Sequence, residues 1–308
     1  MYKAIGFFQS SITFPWQDYF ALCKPKVVAL LLLTAVVGMV LALDPNSTML
    51  YALPKAFVAL LGIGLAASAA AAINHLVDRN IDAKMARTTG RPIPQGKVKP
   101  RNALVFAFVL TIISMSMLYF LINPLTAILT LFGLLGYAVV YTVFLKRATP
   151  QNIVIGGLAG ALPPLLGWTA MMEPAQIQGE PLLLVLIIFA WTPPHFWALA
   201  IHRKEDYAKA GIPMLPVTHG ENFTKTCILL YTVLLLAITW LPYLIKMTGI
   251  VYLLSANLLG AWFLYYVLKL KIQPEEKTAI KTFMVSIYYL LLLFVALFFD
   301  HFYKIYLI

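Results

Sequence analysis

Apolar positions in this chain fall in long unbroken runs; they neither alternate along strands nor mark one face of a helix. Nine such runs can be drawn, roughly Val27 to Leu43, Leu53 to Ile73, Asn102 to Ile122, Pro124 to Leu145, Ile153 to Met172, Pro181 to Ile201, Thr226 to Ile245, Ile250 to Leu268 and Thr282 to Phe299. Each approaches the roughly 20 residues a helix needs to cross a bilayer core. Barrel strands would be shorter and would alternate. The pattern predicts an all-α polytopic membrane protein, one domain over residues 1–308, with nine transmembrane helices and the lipid bilayer as its solvent. Mostly short connections predict an antiparallel bundle.

Composition agrees: 61% of the 308 residues are hydrophobic, 11% are charged and the mean hydropathy is +0.85. A net charge of +11 would fit a nucleic-acid partner, but its distribution argues against one. With spans alternating in direction, 20 of the 23 lysines and arginines fall on one side, leaving Lys55, Lys246 and Lys304 on the other. The positive-inside rule then puts the N-terminus in the cytoplasm and the C-terminus outside, and no nucleic acid is expected. Residues 1–26 form a cytoplasmic segment with an interfacial look (Phe7, Phe8, Phe14, Trp16, Tyr19, Phe20) and no short apolar run followed by a cleavage site. The first span is therefore expected to act as both anchor and insertion signal. Lacking an Arg- and Ser-rich transit segment, the chain is expected in a bacterial inner membrane. Cys23 and Cys227 have no metal-ligand spacing and are expected to carry no chemistry.

Two cytoplasmic connections are long and chemically dense, residues 75–101 and 202–225, and function is expected between them. Asn74, Asp78 and Asp82 stand at i, i+4 and i+8, so a helix continuing past the membrane presents an amide and two carboxylates on one face. Hard oxygen ligands in an incomplete set suit Mg²⁺ shared with a phosphorylated substrate. Lys84, Arg87 and Arg91 follow as partners for its anion. Alone, Asp78 and Asp82 read equally as juxtamembrane charges offset by Arg79 and Lys84. The run Gly62, Gly64, Ala66 to Ala72 in the preceding span, which permits close backbone approach or leaves open volume, favours a site.

The sixth span carries Pro193 and Pro194, expected to break its hydrogen-bond ladder beside a cavity. His195 follows, about two turns inside the membrane, either a functional group or a packing histidine with its bonds satisfied. Tyr137, Tyr141, Lys146 and Arg147 close the fourth span and Asn152 opens the fifth. Lys146 and Arg147 read either as snorkelling anchors or as anion partners.

The Asn-x-x-x-Asp-x-x-x-Asp pattern ending the second span, with Arg87-Thr88 and Arg91-Pro92 after it, resembles the first aspartate-rich motif of the UbiA family of intramembrane prenyltransferases. Lys24-Pro25-Lys26-Val27, Leu145-Lys146-Arg147, Gly156-Gly157, Trp191-Thr192-Pro193-Pro194-His195-Phe196-Trp197 and Asp206-Tyr207 through Val217 resemble its haem-farnesylating branch. These landmarks cover residues 24–217.

The resemblance implies a UbiA-type bundle and Mg²⁺-dependent transfer of farnesyl from farnesyl diphosphate to a vinyl group of protohaem IX. Haem b is then substrate, not cofactor, and the product is haem O for haem-copper terminal oxidases. A haem A synthase or a terminal oxidase becomes an expected partner. It further implies catalytic and metal-binding roles for Asn74, Asp78, Asp82 and Asp206, and diphosphate contacts for Lys84, Arg87, Arg91, Lys146, Arg147 and Lys209. His195 is the expected haem-iron ligand, with Trp191, Phe196 and Trp197 packing on the porphyrin. His202 is placed at a haem propionate or a second metal site, and His75 and His219 are weaker haem candidates. Tyr137, Tyr141 and Phe106 are the expected walls around the allylic cation. The chain departs from the wider family at Lys209, where a second aspartate is expected after Asp206, which puts a second Mg²⁺ site in doubt. The rival readings are a prenyltransferase acting on an aromatic quinone precursor and a membrane transporter. Polar groups clustered at one membrane face, with no inverted repeat, speak against the transporter.

Overall fold

The computed structural model describes residues 16–44, 49–272 and 277–303, so Phe7, Phe8, Phe14 and Lys304 lie outside the described residues. Helix α1 (Trp16–Leu22) meets α2 (Pro25–Leu41) at 53°. Lys24 makes the corner in left-handed backbone (φ 51°), consistent with Pro25 disfavouring right-handed helix at the residue before it. There follow α3 (Leu53–Val77), the single turn α4 (Arg79–Asp82), α5 (Pro100–Ile122), α6 (Pro124–Ala148), α7 (Asn152–Met171) and α8 (Gly179–His202). The short α9 (Lys204–Lys209) and α10 (Leu215–Thr218) lead to α11 (Gly220–Leu244), α12 (Ile250–Ile272) and α13 (Thr278–Phe302). Among the described residues eight helices are long and apolar enough to cross a membrane, and the bent pair α1–α2 makes nine.

Helix α3 packs on α5, α2 on the second half of α7, and α8 lies among α7, α11 and α13, while α13 returns to α2 and closes the bundle. The small-residue run of α3 serves close approach: Gly62 faces Leu118, and Ser114 Oγ on α5 donates to the Gly62 carbonyl at 2.6 Å. The α2–α7 crossing is equally tight, since a Cβ at Gly38 would collide with the Pro164 carbonyl and one at Gly167 with that of Ala35. Asn123 starts α6 by accepting from Thr126 N at 2.8 Å and donating to the Thr169 carbonyl at 3.0 Å.

Three local features differ from the sequence expectation. Pro193 and Pro194 lie inside an unbroken α8. The surrounding helices bury both prolines and hold that path, so the helix runs on although neither proline can donate to its ladder. The interruption falls instead in α7, at Leu162 ahead of Pro163 and Pro164. In α6 the coil widens to a π-helical stretch over Gly136–Leu145, with Thr142 Oγ1 donating to the Tyr137 carbonyl at 2.8 Å.

Candidate active site

The first dense connection begins where α3 ends. Asp78 closes that helix and α4 carries on for one turn, which leaves Asn74, Asp78 and Asp82 on a nearly continuous path, all under 5% exposed. Asn74 Nδ2 donates to Asp78 Oδ2 at 2.8 Å and lies 3.3 Å from Thr142 Oγ1. Three cations converge on this row. Lys146 Nζ is 2.5 Å from Asp78 Oδ2, Arg91 Nη1 is 2.6 Å from Asp82 Oδ2, and Lys24 Nζ donates to Asn74 Oδ1 at 2.5 Å.

Each contact has a local cause. The bend at Lys24 turns its side chain toward Asn74, and Lys146 is carried past the π-helical stretch at the C-terminal end of α6. Arg91 reaches Asp82 because the loop folds back: Thr88 Oγ1 donates to the Asp82 carbonyl at 2.9 Å, with Met85 and Ile93 buried on either side. Burying a carboxylate costs several kcal/mol unless a partner offsets it. Here two carboxylates face three cations, an excess of one positive charge that suits a polyanion. Asp78 Oδ1 is buried with no hydrogen-bond partner among the described residues, an oxygen of the hard type that Mg²⁺ takes up, so these residues fit that ion.

The second dense connection meets the first through Tyr207. Its side chain is buried in the main core with Ile81 and Met85. Burial pushes the Tyr207 phenol up, opposed by the charges of Arg87, Arg203 and Arg91. Asp206 lies 3.7 Å from Arg203, and among the described residues no three His, Cys, Asp or Glu side chains form a metal cluster. Asp206, the ligand expected from this second loop, stands beside the cation at i−3. Lys84, Arg87, Arg147, His202 and Lys209 are exposed around the row.

Tyr137 and Tyr141 stack at 5.5 Å between centroids, and Lys24 Nζ is 5.9 Å from the Tyr137 ring. Phe106 does not join them. It packs edge-on against Tyr19 at 5.1 Å, in the cluster under α1, because its face of α5 looks toward the N-terminal helix.

On α8, His195 lies flat between Trp191 (centroids 4.1 Å) and Phe283 (4.5 Å), and its Nδ1 is 2.7 Å from Ser286 Oγ. Ser286 Oγ donates to the Phe283 carbonyl at 2.6 Å, so it accepts from His195, and Nδ1 carries the proton. Nε2 keeps its lone pair. An imidazole oriented by a second hydrogen bond is the usual form of a metal-ligating histidine. Trp191 stacks on that ring and donates Nε1–H to the Ser286 carbonyl at 2.8 Å; Trp197 is buried edge-on against Tyr231. Both indoles are taken up inside the bundle and neither is free to cover a porphyrin as expected. Phe196, 39% exposed and edge-on to His195 at 4.9 Å, is the aromatic beside it that faces outward. His219 is remote from this ring, stacked on Phe223.

Lys24, Thr142 and Ser286 were not expected as site residues. Lys24 had a signal in the Lys-Pro-Lys preceding the first span, whereas Thr142 and Ser286 look like ordinary small polar residues of apolar helices.

The model of the UbiA prenyltransferase family matches residues 31–293. The chain belongs to this family. It is 62% identical over 287 residues to protoheme IX farnesyltransferase 2 of Pseudoalteromonas atlantica, covering 93% of this chain and 92% of that one. A digeranylgeranylglyceryl phosphate synthase superposes with a TM-score of 0.76 at 20% identity, over 94% of this UbiA-family chain and 99% of that one. A UbiA homologue from Archaeoglobus fulgidus, bound to DMAPP and Mg²⁺, gives 0.64 at 18% identity, over 91% and 99%.

Proposed function

We propose that this chain transfers the farnesyl group of farnesyl diphosphate to a vinyl group of protohaem IX, giving haem O and diphosphate. The observation that carries the reading is the 62% identity with a protoheme IX farnesyltransferase along nearly the whole chain. Two carboxylates caged by three cations at one membrane face support it, as does a histidine whose Nε2 lone pair is free for iron.

Asn74, Asp78 and Asp82 would hold Mg²⁺, which when bound offsets the charge developing on the leaving diphosphate. Lys146, Arg91 and Lys24 turn from their present partners to diphosphate oxygens, and exposed Arg87, Lys84, Arg147 and Lys209 assist at the rim. The allylic C–O bond breaks and its electron pair leaves with the diphosphate. Tyr137 and Tyr141 present ring faces to the cation and keep water from it. The terminal vinyl carbon attacks; water adds to the inner carbon and loses a proton, which completes a hydroxyethylfarnesyl group. His195 Nε2 holds the haem iron, with His202 at the membrane edge for a propionate. Asp206, paired with Arg203, orders the second loop and leaves magnesium to the first.

The reading puts one domain in a bacterial inner membrane, N-terminus cytoplasmic, with haem A synthase or a terminal oxidase as consumer of the product. The test is conversion of haem b by membranes carrying wild type or Asp78→Ala, given farnesyl diphosphate with Mg²⁺ or EDTA, followed by chromatography of extracted haem. A farnesylated haem that requires both Mg²⁺ and Asp78 is the expected result. Prenylation of an aromatic quinone precursor with haem unchanged would overturn the acceptor, and no transfer to either by folded protein would leave the transporter reading.

A further inference from the structure

His75 occupies the last turn of α3, directly after Asn74 and three residues before Asp78, and is 3% exposed. Neither of its ring nitrogens has a hydrogen-bond partner among the described residues. A neutral imidazole always carries one N–H donor and one lone pair, and a side chain sealed from water with both unmatched loses their hydration with nothing in return. Such an orphan in a native site points to a partner that arrives with a ligand.

The charges that bear on the ring identify the partner's sign. They are Lys24, which donates to the neighbouring Asn74, and Arg91, which pairs with Asp82 in the same row. Those cations draw an anion to the place where the unmatched N–H lies. Mg²⁺ prefers oxygen ligands, which leaves an anion's oxygen as the complement of the N–H. Resting on the prenyl-diphosphate reading, we propose that His75 donates a hydrogen bond to the diphosphate, completing from the α3 side the cradle formed by Lys24, Arg91 and Lys146. It adds a directed bond to a row where the cations already outnumber the carboxylates.

The experiment measures binding of inorganic pyrophosphate, with Mg²⁺, to the purified full-length chain in detergent, for wild type, His75→Phe, His75→Asn and His75→Gln. Thermal unfolding without pyrophosphate is recorded alongside. His75→Phe should bind pyrophosphate about 10- to 100-fold more weakly, the usual range for a hydrogen bond to a charged group. Its unfolding temperature without ligand should be unchanged or higher, because an apolar ring replaces an unmatched polar one. Rescue by Asn identifies Nδ1 as the donor, and rescue by Gln identifies Nε2. Wild-type affinity in His75→Phe, or in His75→Leu should the Phe variant not fold, overturns the assignment, as does a loss of stability with affinity intact. Failure of the wild type itself to bind pyrophosphate overturns the prenyl-diphosphate reading together with it.

Discussion

Lys146 Nζ stands 2.5 Å from Asp78 Oδ2, while the buried Asp78 Oδ1 has no partner among the described residues. The residues are 68 positions apart and are brought together by the end of α3 and the widened coil of α6. One oxygen is neutralised and the other left open, which suits a carboxylate that holds a metal against a substrate's charge.

Removing one partner should therefore do two separable things. Asp78→Ala leaves a lysine ammonium only 13% exposed without its counter-charge and should destabilise the chain by about 3–5 kcal/mol. Asp78→Ala with Lys146→Ala should recover most of that stability in a thermal unfolding assay and none of the haem conversion. Full recovery of both would show the pair to be structural only.

The tautomer of His195 rests on Ser286, whose hydroxyl is taken up by the Phe283 carbonyl. In Ser286→Ala the ring loses the acceptor that fixes its proton on Nδ1. Haem affinity, read by spectroscopic titration of the purified protein, should fall about 10- to 100-fold, the range seen when the group orienting a metal-bound histidine is removed. Pyrophosphate binding at the other site should not change.

Much of this was legible in sequence, and the limits have physical causes. Among the described residues each apolar run largely coincides with a candidate span, the bent pair α1–α2 counted as one, because in lipid the length of hydrophobic sequence is itself the constraint. Asn74, Asp78 and Asp82 were readable because helical spacing is local. Lys24 and Thr142 were not, since they reach Asn74 from other helices and tertiary contact leaves no periodic trace. Phe106 was misplaced for a related reason: chain position gave its depth in the membrane but not the direction its face of α5 looks. Pro193 and Pro194 misled because burial on all sides holds a helix that their local preference opposes.

The α2–α7 crossing supplies a control. Gly38 and Gly167 each face a backbone carbonyl of the other helix, far too close for a methyl group. Gly38→Ala or Gly167→Ala should cost about 1–3 kcal/mol through overpacking, visible as a lower unfolding temperature. Protein that remains folded should bind pyrophosphate like the wild type, since neither glycine adjoins the Asn74 row; altered affinity would mean that this crossing sets the geometry of the site.

Gly156 tests the aromatic wall directly. A Cβ there would run into the Tyr141 ring, so the absence of a side chain on α7 is what lets Tyr141 lie against that helix and stack on Tyr137. Gly156→Ala must push the ring, because the alternative is to separate α6 from α7 where they pack. If Tyr141 shields the allylic cation, the displaced ring admits water. Farnesyl diphosphate should then be hydrolysed to farnesol in competition with haem conversion, while pyrophosphate binds with unchanged affinity because the anion site lies beyond the ring. The diagnostic quantity is the ratio of farnesol to farnesylated haem, which should rise several-fold over wild type. A fall in both products with their ratio constant would mean that Gly156 maintains the bundle and that other side chains form the wall.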